Sequence, residues 1–170
     1  MSHNGKHRQE RSGPEQRQHF RINAELRISV APVEGKEQPE VWAYSEEGAV
    51  SPLVAPKRFQ LRKARTRIQE EQQRPVNISA GGMRAGFGPE AGDRKTPQVE
   101  AGDQVGVLLE LKTEEDEKGT LVHVPGVVVW VENTPRWVYM AFKFGEMPDG
   151  IERVLSQFVT ETERRRLRSS

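Results

Sequence analysis

Two arginines, an asparagine, a serine and a glycine are the residues of this chain whose types and spacing could hold a ligand. Arg17 and Arg21 stand four positions apart in Arg17-Gln18-His19-Phe20-Arg21. A planar guanidinium pairs with phosphate oxygens, meets a base edge with two parallel hydrogen bonds and stacks on flat rings, where a lysine supplies only a charge. Well downstream, Asn77-Ile78-Ser79-Ala80-Gly81-Gly82 sets an amide and a hydroxyl in a turn closed by two glycines. Asn and Ser can present donors and acceptors there, and glycine permits the positive φ and close backbone approach that such a turn needs.

The two motifs differ in weight. In a chain this rich in arginine about two RxxxR pairs arise by accident, and Arg58/Arg62 and Arg164/Arg168 are further examples. The chain's own residue frequencies give roughly one accidental NxSxxG in thirty such sequences. Arg17/Arg21 stands out from the other pairs by context. It alone lies directly before a strand-like stretch and N-terminal to the Asn-x-Ser turn.

The elements that must position these residues are mostly strands. Ile22, Ala24, Leu26, Ile28 and Val30 alternate with polar residues, which predicts a strand with one buried face, ended by Pro32. Pro75-Val76 leads into the Asn-x-Ser turn, and residues 83–87 follow as a strand. Val105, Val107, Leu109 and Leu111 form another alternating run, residues 121–131 read as a central strand, and residues 137–144 as the last one. Ile151, Val154, Leu155, Phe158, Val159 and Thr162 fall at helical spacing, so one helix face is apolar and is expected to cover the open end of the sheet. Between the first strand and the turn, residues 34–73 fit no single element. They hold a short candidate strand at 41–44 and a basic helix at 59–73, with Leu61, Ala64 and Ile68 on one side.

Composition narrows the function classes. The apolar fraction is 34% and the charged fraction 30%, so a good part of the chain is expected to be solvated tail or insertion. A net charge of +1 gives no globally basic surface, which argues against a DNA-binding protein. Without cysteine there is no disulfide framework, thiolate metal site or thiol nucleophile. The polar N-terminus has no apolar region of a signal peptide and no run approaches membrane-spanning length, so a soluble cytoplasmic protein is expected.

Together, RxxxR and (D/N)xSxxG resemble the paired signature of the PilZ domain, a bacterial receptor family for the second messenger cyclic di-GMP. The resemblance implies a mainly β fold: a six-stranded antiparallel (split) β-barrel with a C-terminal capping helix, carrying here an inserted segment after the first strand. It covers residues 17–168, with 34–73 as the insertion and 1–16 as a flexible tail. Arg17 and Arg21 are then expected to bind guanine edges and phosphates, Asn77 and Ser79 to hydrogen-bond guanine or phosphate, and Gly82 to let the backbone come close. Trp130 is a further candidate, stacking or packing beside the site, although its parity along the strand could equally send it into the core. The ligand would be cyclic di-GMP itself, with no cofactor and no metal, and the signal would pass to an unidentified effector protein. Gln16 stands where the family often has another arginine, which leaves open one ligand molecule or a stacked pair. Ala141 replaces a common glycine, a change expected to affect packing rather than binding. Oligomeric state is not readable.

Other readings compete at several positions. The Asn-x-Ser turn could be an ordinary tight turn that satisfies its own backbone. Ser79 lacks the GxSxG surroundings of a nucleophile, and an enzyme is the least supported class. His3 and His7 lie at i,i+4 spacing without further ligands. The basic stretch 57–74 lacks the aromatic platform of an RNA grip. A protein with this fold that has lost the nucleotide and acts only through protein contacts is the main alternative.

Overall fold

Apolar alternation does in this chain what it does in most antiparallel sheets: it turns one face of each strand inward. The computed structural model of the chain describes residues 20–35, 40–46, 55–93, 95–113 and 117–169. Arg17 and the segment read as a tail, 1–16, lie outside the described residues.

Among the described residues, seven strands and two α-helices run in the order β1 (Ile22–Pro32), β2 (Trp42–Ser45), α1 (Arg58–Gln69), β3 (Arg74–Ile78), β4 (Gly82–Phe87), β5 (Gln104–Leu111), β6 (Thr120–Asn133), β7 (Val138–Phe144) and α2 (Asp149–Ser169). All strand pairings are antiparallel. The order β6-β5-β1-β3-β4-β7 closes on itself because β7 also pairs with β6. The result is a six-stranded barrel, and β2 is an extra strand outside it. The long strand β6 makes this possible. One of its edges serves β5, while the other is divided between β2 at Thr120 to His123 and β7 from Gly126 to Asn133.

The barrel interior is filled from every strand, with Ile28, Ile78, Met83, Val107, Leu109, Val122, Val124 and Met140 among the most deeply buried. Helix α2 closes one end with Ile151, Leu155, Phe158 and Val159, which join the same core. Its first turn carries Asp149 and Glu152 and its last turn Arg166 and Arg168, the order that complements the helix dipole.

Two features depart from the simple alternating pattern. First, β3 is a full strand between β1 and β4, where the sequence offered only a lead into the turn. Pro75, opposite Glu25, is a poor strand residue because it has no N–H to donate, and it hides this strand from pattern reading. Second, β1 and β5 are not solvated on their outer face along their whole length. Helix α1 and β2 cover it, forming a second cluster of Trp42, Ala64, Ile68, Leu108 and Leu121. Leu108 and Ser29, both expected to face water, are buried for this reason. Arg67 on α1 donates from Nη2 to the Ser29 hydroxyl at 2.8 Å, and burial holds its guanidinium below its ordinary pKa. His123 stacks on Trp42 with ring centroids 5.8 Å apart and donates through Nδ1 to the Glu40 carbonyl at 2.8 Å. Burial pushes its pKa below the usual histidine value.

Arg74, at the start of β3, is 2% exposed. It forms a two-pronged ion pair with Asp93, donates to the Gly86 carbonyl at 2.7 Å and lies over the Phe87 ring. Asp93 also accepts from the Gly88 N–H at 2.9 Å. This brace ties the start of β3 to the end of β4 and the loop after it.

Candidate functional site

The register of the barrel lines up one outward row of side chains across five strands. Asn23 on β1 faces Asn77 on β3, Asn77 faces Arg84 on β4, Arg84 faces Ala141 on β7, and Ala141 faces Trp130 on β6. Side chains directly opposite in antiparallel strands sit close enough to act together. Residues spread over more than a hundred positions of sequence thus share one strip of surface.

Arg21, just before β1, reaches this strip. Its Nη1 donates to Asn77 Oδ1 at 3.1 Å, and Asn77 Nδ2 donates to Asn23 Oδ1 at 3.1 Å. The second arginine of RxxxR therefore meets the first residue of NxSxxG directly. Arg17 lies outside the described residues.

Ser79 behaves differently. It is fully buried, and its hydroxyl accepts from the N–H groups of Gly81 at 3.1 Å and Gly82 at 3.2 Å. The turn is closed further by the Ser79 N–H donating to the Gly82 carbonyl at 2.9 Å. The hydroxyl is thus engaged in shaping the turn, which is the competing reading of this residue and leaves it ill placed as a nucleophile.

Gly82 works by size rather than by handedness. Neither Gly81 nor Gly82 is among the described glycines with positive φ, contrary to the expectation from sequence. Gly82 pairs with Lys143 of β7, and a Cβ there would collide with the Phe142 carbonyl oxygen. The close approach it permits is between β4 and β7.

Trp130 is settled by a bulge. Val128 pairs with Phe142 and Trp130 with Ala141, so Val129 is the extra residue. An extra residue reverses the parity of the strand beyond it. Trp130 is therefore 38% exposed on the outer surface instead of entering the core.

Around this strip lie two clefts. The first, about 540 Å³, is lined by Arg21, the Ser79–Gly81 backbone turn, Arg84, Trp130, Ala141 and Lys143. The second, about 420 Å³, shares Arg84 and Trp130 and continues to Asn77, Gly86, Glu132 and Tyr139. Arg84 and Lys143 are exposed and form no ion pair among the described residues. With Arg21 they give the first cleft three cations, suited to a polyanion. Sequence reasoning named neither as a ligand-binding residue. Their signal was present in the pattern, as the polar, outward-parity positions of β4 and β7, but it becomes specific only when the barrel closes. Ala141 lines the floor between Arg84 and Trp130, so its methyl group faces the cleft as well as the packing beneath.

The sequence pattern of the PilZ domain matches residues 55–161. The match contains the Asn-x-Ser turn, Arg84, Trp130 and Lys143, while Arg17, Arg21 and β1 precede it. Among solved structures, the chain is similar to the Bacillus subtilis inhibitor of motility MotI/DgrA, at 19% identity and a TM-score of 0.52, over 91% of this chain and 53% of that one. It spans only about half of that protein. It is also similar to a pathogenic protein from Xanthomonas campestris, described as a tetrameric PilZ domain self-assembled through a helical bundle, at 10% identity and a TM-score of 0.53. There the alignment covers 94% of this chain and 98% of the other. At such identities the likeness concerns the fold. No curated protein matches the sequence.

Proposed function

The chain belongs to the PilZ domain family, and from that premise we propose that it is a cytoplasmic receptor and adaptor for cyclic di-GMP, a binding module and not an enzyme. The observation that carries this is the bond from Arg21 to Asn77, which joins the arginine motif to the Asn-x-Ser turn at the rim of a cleft lined by further cations.

Cyclic di-GMP holds two phosphates and two guanines in one ring. Guanine presents O6 and N7 as paired acceptors, which a guanidinium meets with two hydrogen bonds. Arg21, Arg84 and Lys143 supply charge for the phosphates, and Asn77 supplies both a donor and an acceptor next to them. Trp130 offers a ring face for stacking. Arg17, four residues before Arg21, adds a second guanidinium as the arginine segment closes over the ligand. Ordering the arginine segment has an entropic cost, so the measured affinity reflects only the surplus. The closed segment then presents a new surface to an effector protein.

Ser79 enters this account through the backbone: its hydroxyl accepts from the Gly81 and Gly82 amides and so holds the turn that follows Asn77. Calorimetry with cyclic di-GMP tests the reading. Saturable binding by the wild-type chain, weakened about 10- to 100-fold by Arg21→Ala, is expected from the loss of a charge-assisted contact. A folded chain that gives neither heat nor a thermal shift at high micromolar ligand would instead be a fold retained for protein contacts alone.

A further inference from the structure

The two clefts differ in charge in a way that assigns different parts of a ligand to each. The first is lined by Arg21, Arg84 and Lys143, with no acidic residue among the described ones. The second has one cation, the shared Arg84, and one acid, Glu132, set among rings and small side chains. A carboxylate beside a phosphate-binding surface weakens anion binding by repulsion unless it accepts hydrogen bonds from the ligand.

The walls of the second cleft are held in place. Tyr139 and Glu132 face each other across β7 and β6. The Tyr139 ring is backed by Trp137, with centroids 5.9 Å apart and planes within 13°. That stack fits only because Gly86, opposite Tyr139 on β4, has no side chain: a Cβ would lie 2.9 Å from the Trp137 ring. Glu132 forms no ion pair among the described residues, so its carboxylate is not neutralised by a neighbour. Lys143 and Tyr139 are four residues apart on β7, about 13 Å by the strand rise, so the cationic end and the ring-lined end of the strip are separate along the strand.

We propose that the site is bipartite: the phosphates lie on the Arg21–Arg84–Lys143 side, and one guanine enters the second cleft, stacks on Tyr139 and is read on its Watson–Crick edge by Glu132. This rests on the reading of the chain as a cyclic di-GMP receptor and makes Glu132 a specificity-determining residue. A carboxylate accepts two hydrogen bonds side by side. Guanine offers N1–H and the N2 amino group on that edge, hypoxanthine offers N1–H alone, and adenine presents an acceptor at N1. Arg84 stands between the clefts and is within the row that separates phosphate from base.

The test compares cyclic di-GMP, cyclic di-IMP and cyclic di-AMP on the wild-type chain, on Glu132→Thr and on Lys143→Gln, each checked for an unchanged melting temperature. The wild type is expected to prefer cyclic di-GMP to cyclic di-IMP about tenfold, the size of one good base-edge contact, and to bind cyclic di-AMP most weakly. Glu132→Thr is expected to bring the first ratio close to one. Lys143→Gln weakens all three ligands by a similar factor and leaves the ratio in place. A Glu132→Thr chain that keeps the wild-type ratio, or a wild type with no preference over cyclic di-IMP, overturns the bipartite site while leaving the receptor reading intact. A folded wild type that binds none of the three removes the receptor reading and the inference together.

Discussion

Two arginines less than sixty residues apart make opposite use of the same side chain. Arg74 is buried at 2% exposure, with its charge met by Asp93, a carbonyl and a ring face. Arg21 is exposed at the barrel rim, and among the described residues its side chain hydrogen-bonds only Asn77. The first region is a closed ion-pair brace; the second is a set of cations around an open cleft. What separates them is partner supply. A guanidinium has five donors: both terminal nitrogens of Arg74 are engaged inside the fold, with its Nε buried and without a partner among the described residues, while donors left to solvent are available to a ligand. Arginine count in a sequence cannot make this distinction, but burial and partners can.

The contrast predicts effects of different kind and size. Arg74→Met should cost the fold about 3–5 kcal/mol, because removing one partner of a buried pair leaves Asp93 uncompensated. A denaturant titration reads that as a lower midpoint, and an unchanged midpoint would show that the brace is ornamental. Arg21→Ala should leave the midpoint where it is and act on cyclic di-GMP affinity instead. If it shifts stability as much as Arg74→Met does, the two regions do not differ in kind.

Gly82→Ala sits between the two. Its methyl group would strike the Phe142 carbonyl, so β4 must shift against β7. The expected cost is about 1–3 kcal/mol, as for other overpacked sites. Gly81→Ala should cost less, since Gly81 borders the open cleft. Equal melting temperatures for the two variants would contradict the steric account of Gly82.

The smallest effect is a pH dependence on the covered side of the barrel. Burial lowers the folded-state pKa of His123, so the neutral ring is favoured in the folded state. Its contribution to stability is therefore complete above the unfolded histidine pKa of about 6.5 and is lost as pH falls towards the depressed folded value. His123→Phe should flatten the stability profile in that acidic window and leave it unaltered above it. A steeper acid loss in the variant would reverse that sign.

Much of this was legible in the sequence, for reasons that particular residues make plain. Ile22, Leu26 and Ile28 alternate because a barrel strand has an inside, and Ile151, Leu155 and Phe158 recur at helical spacing because α2 lays one face on the core. The meeting of Arg21 and Asn77 was expected from the resemblance to the PilZ signature, and the pairing of β1 with β3 brings it about. Three things were not. β3 was obscured by Pro75, whose missing N–H weakens the pattern of a strand that tertiary pairing nonetheless forms. The parity of Trp130 depends on the extra residue at Val129, and a bulge leaves no mark in hydrophobic periodicity. Arg84, Lys143 and Glu132 looked like ordinary solvated strand residues until register placed them around two clefts.

The central claim is that cyclic di-GMP binds at the corner where Arg21 meets Asn77. Titrating the isotope-labelled chain with cyclic di-GMP and following its NMR signals tests this most directly. The account predicts saturable shifts of the Asn77 side-chain amide, the Trp130 indole N–H and the backbone of Arg21, Gly81 and Gly82, with α1 and β2 little affected. Shifts confined to the α1 and β2 side of the barrel, or none at saturating ligand, would contradict it.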